Sequence, residues 1–212
     1  HPDLHFSLPV YKKKSTDHPI SDDFLPQWRE LLAEKLYFDV EDWLCAIKAE
    51  NQQIVHYVNE SDALQQKLQL KASRGGRRVV VVWLPERMMV QAANKLLKLI
   101  EEPPTETYFL LVSEDPEKVL GTIQSRTQRL NIPPLSENEI AQALAREHNL
   151  PIEKAAEMAR VAQGSYTAAL KRMDTENEEK MCFERFVQLM RLSYMRRIKD
   201  MRAWSEQVSD MG

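Results

Sequence analysis

The chain has 212 residues, 43% hydrophobic and 29% charged, with a formal net charge of -3. That is enough for one large or two small globular domains, and the near-neutral charge excludes a general attraction to nucleic acid, so DNA contact would need a local basic patch or partner subunits. Cys45 and Cys182 form no disulfide framework and no metal-ligand spacing and read as reduced cytoplasmic thiols; no apolar run reaches the roughly 18 residues of a membrane span, and no signal peptide is read.

Taken in chain order, His5 to Val10 reads as a short strand, and Lys12 to Pro19 as a polar turn. Ser21-Asp22-Asp23 reads as the cap of an amphipathic helix carrying Phe24, Leu25, Trp28, Leu31 and Leu32. A short helix is expected over Asp42 to Ala49, and a longer one after a Ser61 cap. Ser73 to Arg78 is a loop around a Gly-Gly pair. Val79 to Leu84 is an apolar strand ended by Pro85. Leu96, Leu97 and Ile100 recur at the spacing of one helix face, and Pro103-Pro104 stop that helix. Tyr108 to Val112 is a continuous apolar run, predicting a strand covered on both faces. Strands alternating with helices predict a largely parallel sheet.

After Pro133-Pro134 the pattern becomes helical. Ser136 to Glu139 is a capping box opening a helix that runs to His148. Ile152 to Gln163 is a second helix stopped by Gly164, and Ser165 to Met173 a third. Asp174 to Glu179 reads as an acidic linker, and Met181 to Val208 as one long helix.

The segments ANKLLKLIEEPP, FLLVSEDPEKVLGTIQSRTQ and HPDLHFSLP resemble the delta-prime family of bacterial DNA polymerase III clamp-loader subunits, which are AAA+ relatives. The resemblance runs from His1 to about Met173 and more weakly beyond. It implies a partial AAA+ α/β domain with a parallel sheet, its phosphate-loop part absent, over residues 1–133. A small helical lid domain would follow over 134–175, and a long helix over 176–212 would begin a helical collar domain. Family members carry a strand, a phosphate loop and often a four-cysteine zinc module upstream of the HPD segment, so the chain is expected to be part of a longer polypeptide. A sheet lacking the strand before the phosphate loop is expected to leave a gap beside Tyr108–Val112 unless something fills it. Nothing in the sequence matches Gly-x-x-x-x-Gly-Lys-Ser/Thr, and without those backbone N–H groups no phosphate cradle can be built from it.

The site residues follow from the same resemblance. Arg126, after Ser125, stands where the family supplies an arginine finger to ATP on the neighbouring subunit; a planar, permanently charged guanidinium suits that role. Thr127 replaces the family's cysteine, and Ser125 shapes the turn. As a lone residue Arg126 would read as a surface arginine in an ordinary ion pair. Glu86 stands where the family places its acidic metal-binding pair, but with Trp83 and Pro85 replacing polar positions beside it, it reads rather as a solvated strand-end residue. Ser113 occupies the first sensor position and reads also as a strand-end cap. Thr167 stands where ATP-binding relatives carry an arginine. The expectation is a chain that binds no cofactor itself, with ATP and Mg on the neighbouring subunit.

Arg74, Arg77 and Arg78, with Arg87, read either as DNA-phosphate contacts or as a solvated loop. Arg196, Arg197, Lys199 and Arg202, interleaved with Tyr194, Met195, Met201 and Trp204, suit a subunit interface better than DNA. The resemblance implies gamma/tau and delta subunits as partners, the sliding clamp and primed DNA through the assembly, and no membrane. The alternatives are a gamma/tau-type ATPase and an interaction scaffold with an inert arginine.

Overall fold

The computed structural model describes residues 1–14, 16–69, 76–195 and 204. Three strands, β1 (Leu4–Ser7), β2 (Arg78–Trp83) and β3 (Thr107–Val112), form a parallel sheet in the order β1-β2-β3. The register pairs Leu4 with Val79 and Val79 with Tyr108. The helices of this unit are α1 (Leu25–Glu34), α2 (Val40–Ala46), α3 (Val58–Gln69), α4 (Val90–Glu101) and α5 (Gly121–Gln124). The chain divides into two compact units, residues 1–131 and 132–212. No helix among the described residues is long and apolar enough to cross a membrane.

The parallel α/β sheet is the one the alternation of elements predicts, and the buried apolar side chains of β2 divide between two cores. Val80 and Val82 are buried with Leu64 and Leu68 of α3 and Leu96 of α4. Trp83 turns to the opposite side, into an aromatic cluster with Trp28 and Trp43. The Trp28 and Trp43 rings meet edge-on at 5.3 Å, and Trp28 and Trp83 lie 5.2 Å apart, the tilted and T-shaped geometries that aromatic quadrupoles favour. The Trp43 indole N–H donates to the Pro9 carbonyl at 2.9 Å, so its burial leaves no orphan donor.

Several local expectations are corrected. β1 ends at Ser7, and Val10 instead forms an isolated antiparallel bridge with Val55. Ser21 is no helix cap: it is buried in a 3-10 turn, and its hydroxyl accepts from the Leu8 N–H at 2.7 Å. Asp23 supplies the local cap by accepting from the Ile20 N–H at 2.9 Å. Ser61 lies inside α3, donating to the Ala92 carbonyl at 2.8 Å and so tying α3 to α4. α2 starts at Val40, capped by Asp39, whose carboxylate accepts from the N–H groups of Glu41 and Asp42.

β3 is not covered on both faces. Phe109 and Leu111 pack into the α3–α4 core, but Tyr108, Leu110 and Val112 are about half exposed. Among the described residues the outer edge of β3 has no strand partner.

The second unit contains α6 (Glu137–His148), α7 (Ile152–Val161) and α8 (Tyr166–Tyr194). The Ser136–Glu139 capping box is present: Ser136 Oγ accepts from the Glu139 N–H, and the Glu139 carboxylate accepts from the Ser136 N–H at 2.8 Å. Ala141, Leu144, Met158, Ala159, Tyr166 and Ala169 pack the small core. Gly164 has φ +89°, and a Cβ there would lie 2.4 Å from Pro134 Cβ, so only glycine fits the turn between α7 and α8. The acidic linker at 174–179 is not a break: α8 runs through it. Tyr166 to Tyr194 contains no glycine or proline, and acidic side chains alone do not stop a helix. Tyr194 and Met195 are exposed, whereas Arg196, Arg197, Lys199 and Arg202 lie outside the described residues.

A buried polar group joins β1 to β2. His56 Nε2 donates to the Trp83 carbonyl at 2.9 Å, and Nδ1, 3.1 Å from Ser7 Oγ, accepts the Ser7 hydroxyl. Burial holds the His56 pKa down, from 6.5 to about 4, against the weaker opposing pull of the Trp83 and Leu84 carbonyls. The unfolded chain therefore takes up a proton on His56 before the folded one does. Stability from this group is present above pH 6.5 and is lost as pH falls toward 4. Glu60 works the other way, because burial holds its carboxyl above the usual range. At about 1.4 kcal/mol per pH unit, His56 removes about 2 kcal/mol of folding stability between pH 6.5 and 5. Urea denaturation across that interval should show this loss, and His56→Gln should abolish it.

Candidate functional site

The arginine at position 126 is placed by packing that begins at the sheet. Leu96 is fully buried against β2 and fixes α4, whose apolar stripe continues through Leu97 and Ile100 to Glu101. Pro103 and Pro104 follow, and the chain returns as β3. Beyond β3 a 3-10 turn over Pro116–Lys118 leads into α5. Ile123, 1% exposed, packs with Ala93 of α4 and with Val119, which seats α5 on α4. The Gln124 amide nitrogen donates to the carbonyls of Val119 at 2.7 Å and Pro116 at 2.9 Å, closing the preceding loop.

Residues 125–127 leave the domain from this seat. Ser125 caps α5, its hydroxyl donating to the Thr122 carbonyl at 3.1 Å. Thr127 donates to the Ile123 carbonyl at 3.0 Å, so its hydroxyl closes the turn. The Arg126 Nε–H donates to the Glu101 carboxylate. Its Nη1 donates to the Thr122 carbonyl at 3.0 Å and to Ser125 Oγ at 3.2 Å. The site is thus an exposed guanidinium, ion-paired on one side and turned to solvent on the other. No motif in the sequence marks Glu101 as part of this site; it sits in the EEPP segment where the apolar stripe of α4 ends.

A second group lies at the ends of β2 and β3. Leu84, in a left-handed conformation with φ 58°, turns the chain so that Glu86 reaches β3. The Ser113 hydroxyl donates to Glu86 Oε2 at 2.8 Å, and the Glu114 N–H donates to Oε1 at 3.1 Å. Both Glu86 oxygens are thereby engaged, and Glu86 and Ser113 are brought together as a strand-end clasp. Burial, then the nearby Glu86 and Asp39 charges, raise the Glu114 carboxyl, with Arg87 partly opposing. Among the described residues no group of three or more His, Cys, Asp or Glu is arranged to hold a metal ion. Thr167 is half-buried in the first turn of α8, within the second unit.

The basic group divides. Arg74 lies outside the described residues. Arg77 is exposed, 3.4 Å from the Glu106 carboxylate and 6.0 Å over the Tyr108 ring. Arg78 is 7% exposed, with Nη1 donating to the Leu68 carbonyl at 2.8 Å. That burial corrects the expectation for Arg78: its guanidinium locks β2 to the end of α3 and does not reach out to DNA phosphates.

Comparison with known proteins follows this geometry. Residues 34–136 match the family described as DNA polymerase III, delta subunit. The DNA polymerase III subunit delta' of Escherichia coli is 36% identical over 112 residues, 53% of this chain and 34% of that protein. The delta' subunit of Pseudomonas aeruginosa is 51% identical over 55 residues, 26% of this chain and 17% of that protein. The tau/gamma subunit of Haemophilus influenzae is 34% identical over 122 residues, 55% of this chain and 18% of that protein. Among solved structures, a gamma-subunit-related protein of Thermotoga maritima is 27% identical with a TM-score of 0.37, over 50% of this chain and 37% of that one. That structural likeness is too distant to carry an argument.

In sequence, the α/β unit is similar to DNA polymerase III subunits of the class that includes delta-prime and tau/gamma. Within that class the proteins similar to this chain include the delta-prime subunits of Escherichia coli and Pseudomonas aeruginosa. It spans about a third of the length of the first of these relatives.

Arg77 and Arg78, neighbours in the basic group, make a direct contrast. Arg78→Ala should cost about 1.5–3 kcal/mol in chemical denaturation, since it removes a buried charge-assisted hydrogen bond. Arg77→Ala should change stability by less than about 0.5 kcal/mol. Equal effects of the two substitutions would contradict the burial assignment.

Proposed function

We propose that the protein is a delta-prime-type subunit of the DNA polymerase III clamp loader, and that it supports loading of the sliding clamp onto primed DNA during replication. It acts as a stator that does not itself hydrolyse ATP. It donates Arg126 in trans to ATP and Mg bound on a neighbouring gamma/tau subunit, with a delta subunit completing the assembly.

The observation that carries this reading is Arg126 itself. It stands in a long stretch similar to delta-prime subunits, on a turn seated by a buried contact, with its guanidinium half in solvent. Charge develops on the transferred phosphoryl group and its leaving oxygen during hydrolysis, and a fixed planar cation beside them lowers the barrier. The strand-end clasp supports the silent half of the proposal. Glu86 is occupied by Ser113 and by the Glu114 N–H, where a hydrolytic site needs a carboxylate that holds a metal or orients water.

A second reading, a gamma/tau-type ATPase, is favoured by the 34% identity to the Haemophilus influenzae tau/gamma subunit. An inert surface arginine, paired only with Glu101, is the third.

Arg126→Ala in a loader reconstituted with this chain separates them. Arginine fingers contribute about a thousandfold or more to rate. With one finger removed from one interface, clamp- and DNA-stimulated ATP hydrolysis should fall severalfold while the assembly stays intact by gel filtration. Unchanged hydrolysis would mean the arginine is inert. ATP hydrolysis by the chain in the absence of other subunits would favour the ATPase reading.

A further inference from the structure

A guanidinium has five N–H donors: one on Nε and two on each terminal nitrogen. In Arg126, Nε is engaged by Glu101, and Nη1 by the Thr122 carbonyl and the Ser125 hydroxyl. Nη2 has no protein partner among the described residues. The three acceptors come from two elements, the last residue of α4 and the turn that ends α5. They fix the plane of the guanidinium and leave one corner, with two donors, facing out.

The role of Glu101 in this set is not stability. Its side chain is 44% exposed and that of Arg126 38%, and an ion pair in that setting contributes little to folding. Its effect is on conformation. An arginine side chain explores many rotamers, and the two α5 acceptors alone, both on Nη1, would let the group pivot about them. Glu101, at Nε, supplies the second fixed point on a different helix. Holding a reacting or stabilising group in one geometry before the reaction is a main source of enzymatic rate.

We propose that Glu101 is a positioning residue for Arg126, presenting the Nη2 donors to an anionic oxygen of the phosphate chain on the adjoining subunit. The inference rests on the finger reading of Arg126. It assigns Glu101 no contact with nucleotide and no part in proton transfer.

The test uses the reconstituted loader and four variants: Glu101→Ala, Glu101→Gln, Arg126→Ala, and the double Glu101→Ala/Arg126→Ala. Displacing a group far less than its own length can cost up to about a hundredfold in rate, and one interface of several is affected here. The expected result is a severalfold fall in stimulated kcat for Glu101→Ala, with KM for ATP within about twofold, because the loss is in orientation and not in ground-state binding. Glu101→Gln, which keeps an acceptor oxygen at the same reach, should recover most of the rate. The double variant should match Arg126→Ala, since Glu101 has nothing left to position. A fall with Arg126→Ala but none with Glu101→Ala would overturn the positioning role and leave the finger standing. A further fall in the double variant would overturn it as well, by showing that Glu101 acts on something else. No effect from Arg126→Ala would overturn both readings.

Discussion

Ile123 brings the short helix α5 onto α4, buried with Ala93 and Val119, and that contact decides where residues 125–127 leave the domain. α5 has four residues, too few to be stable as an isolated helix. Its position is therefore set by what it packs on. α4 is in turn fixed to the sheet by Leu96, fully buried with Val80 and Val82. A line of buried contacts thus runs from the central strand to an exposed arginine. The same helix that receives Ile123 ends in Glu101, so the seat of the arginine and its ion-pair partner move as one body. Loosening the Ile123 contact would shift both ends of the guanidinium's support.

The Glu86 and Arg126 groups of the α/β unit differ in direction. At the strand ends, Glu86 is turned onto its own chain, both oxygens satisfied by Ser113 and the Glu114 backbone. At the turn after α5, Arg126 is satisfied on one side only and faces solvent with the other. Inward-closed carboxylate and outward-presented cation are what a subunit would need if it contributed to a neighbour's reaction and not to one of its own. On that proposal the site is divided between two chains, and the part in this chain is complete when the arginine is held and half unpaired. The buried Ser7–His56–Trp83 bridge supports the same edge from beneath, joining the ends of β1 and β2 just before the turn that carries Glu86.

Much of this was legible in the sequence where local chemistry and tertiary packing agree. The apolar stripe of α4, its Pro-Pro stop, the parallel strands and the Ser136–Glu139 capping box all follow from spacing and residue type. The sequence was misleading where tertiary contacts recruit residues with strong local preferences. Ser21 and Ser61 look like helix caps, yet each hydroxyl serves a distant backbone group, Leu8 and Ala92. Arg78 looks like a member of a basic loop, but it is the first residue of β2 and is drawn inward to the Leu68 carbonyl. β3 reads as a doubly covered strand because apolar composition reports how much surface could be buried, not what is present to bury it. His56 and Glu101 carry no local signal at all; only the fold brings Ser7 to one and Arg126 to the other.

The most direct measurement is the structure of the assembled loader with a non-hydrolysable ATP analogue on the subunit that adjoins residues 125–127. The proposal predicts Arg126 Nη2 at hydrogen-bond distance, about 3 Å, from an oxygen of that nucleotide's terminal phosphate, with Nε still on Glu101. An Arg126 side chain directed away from every nucleotide in the closed assembly, or a neighbour whose phosphates are met by a different residue of this chain, would contradict it.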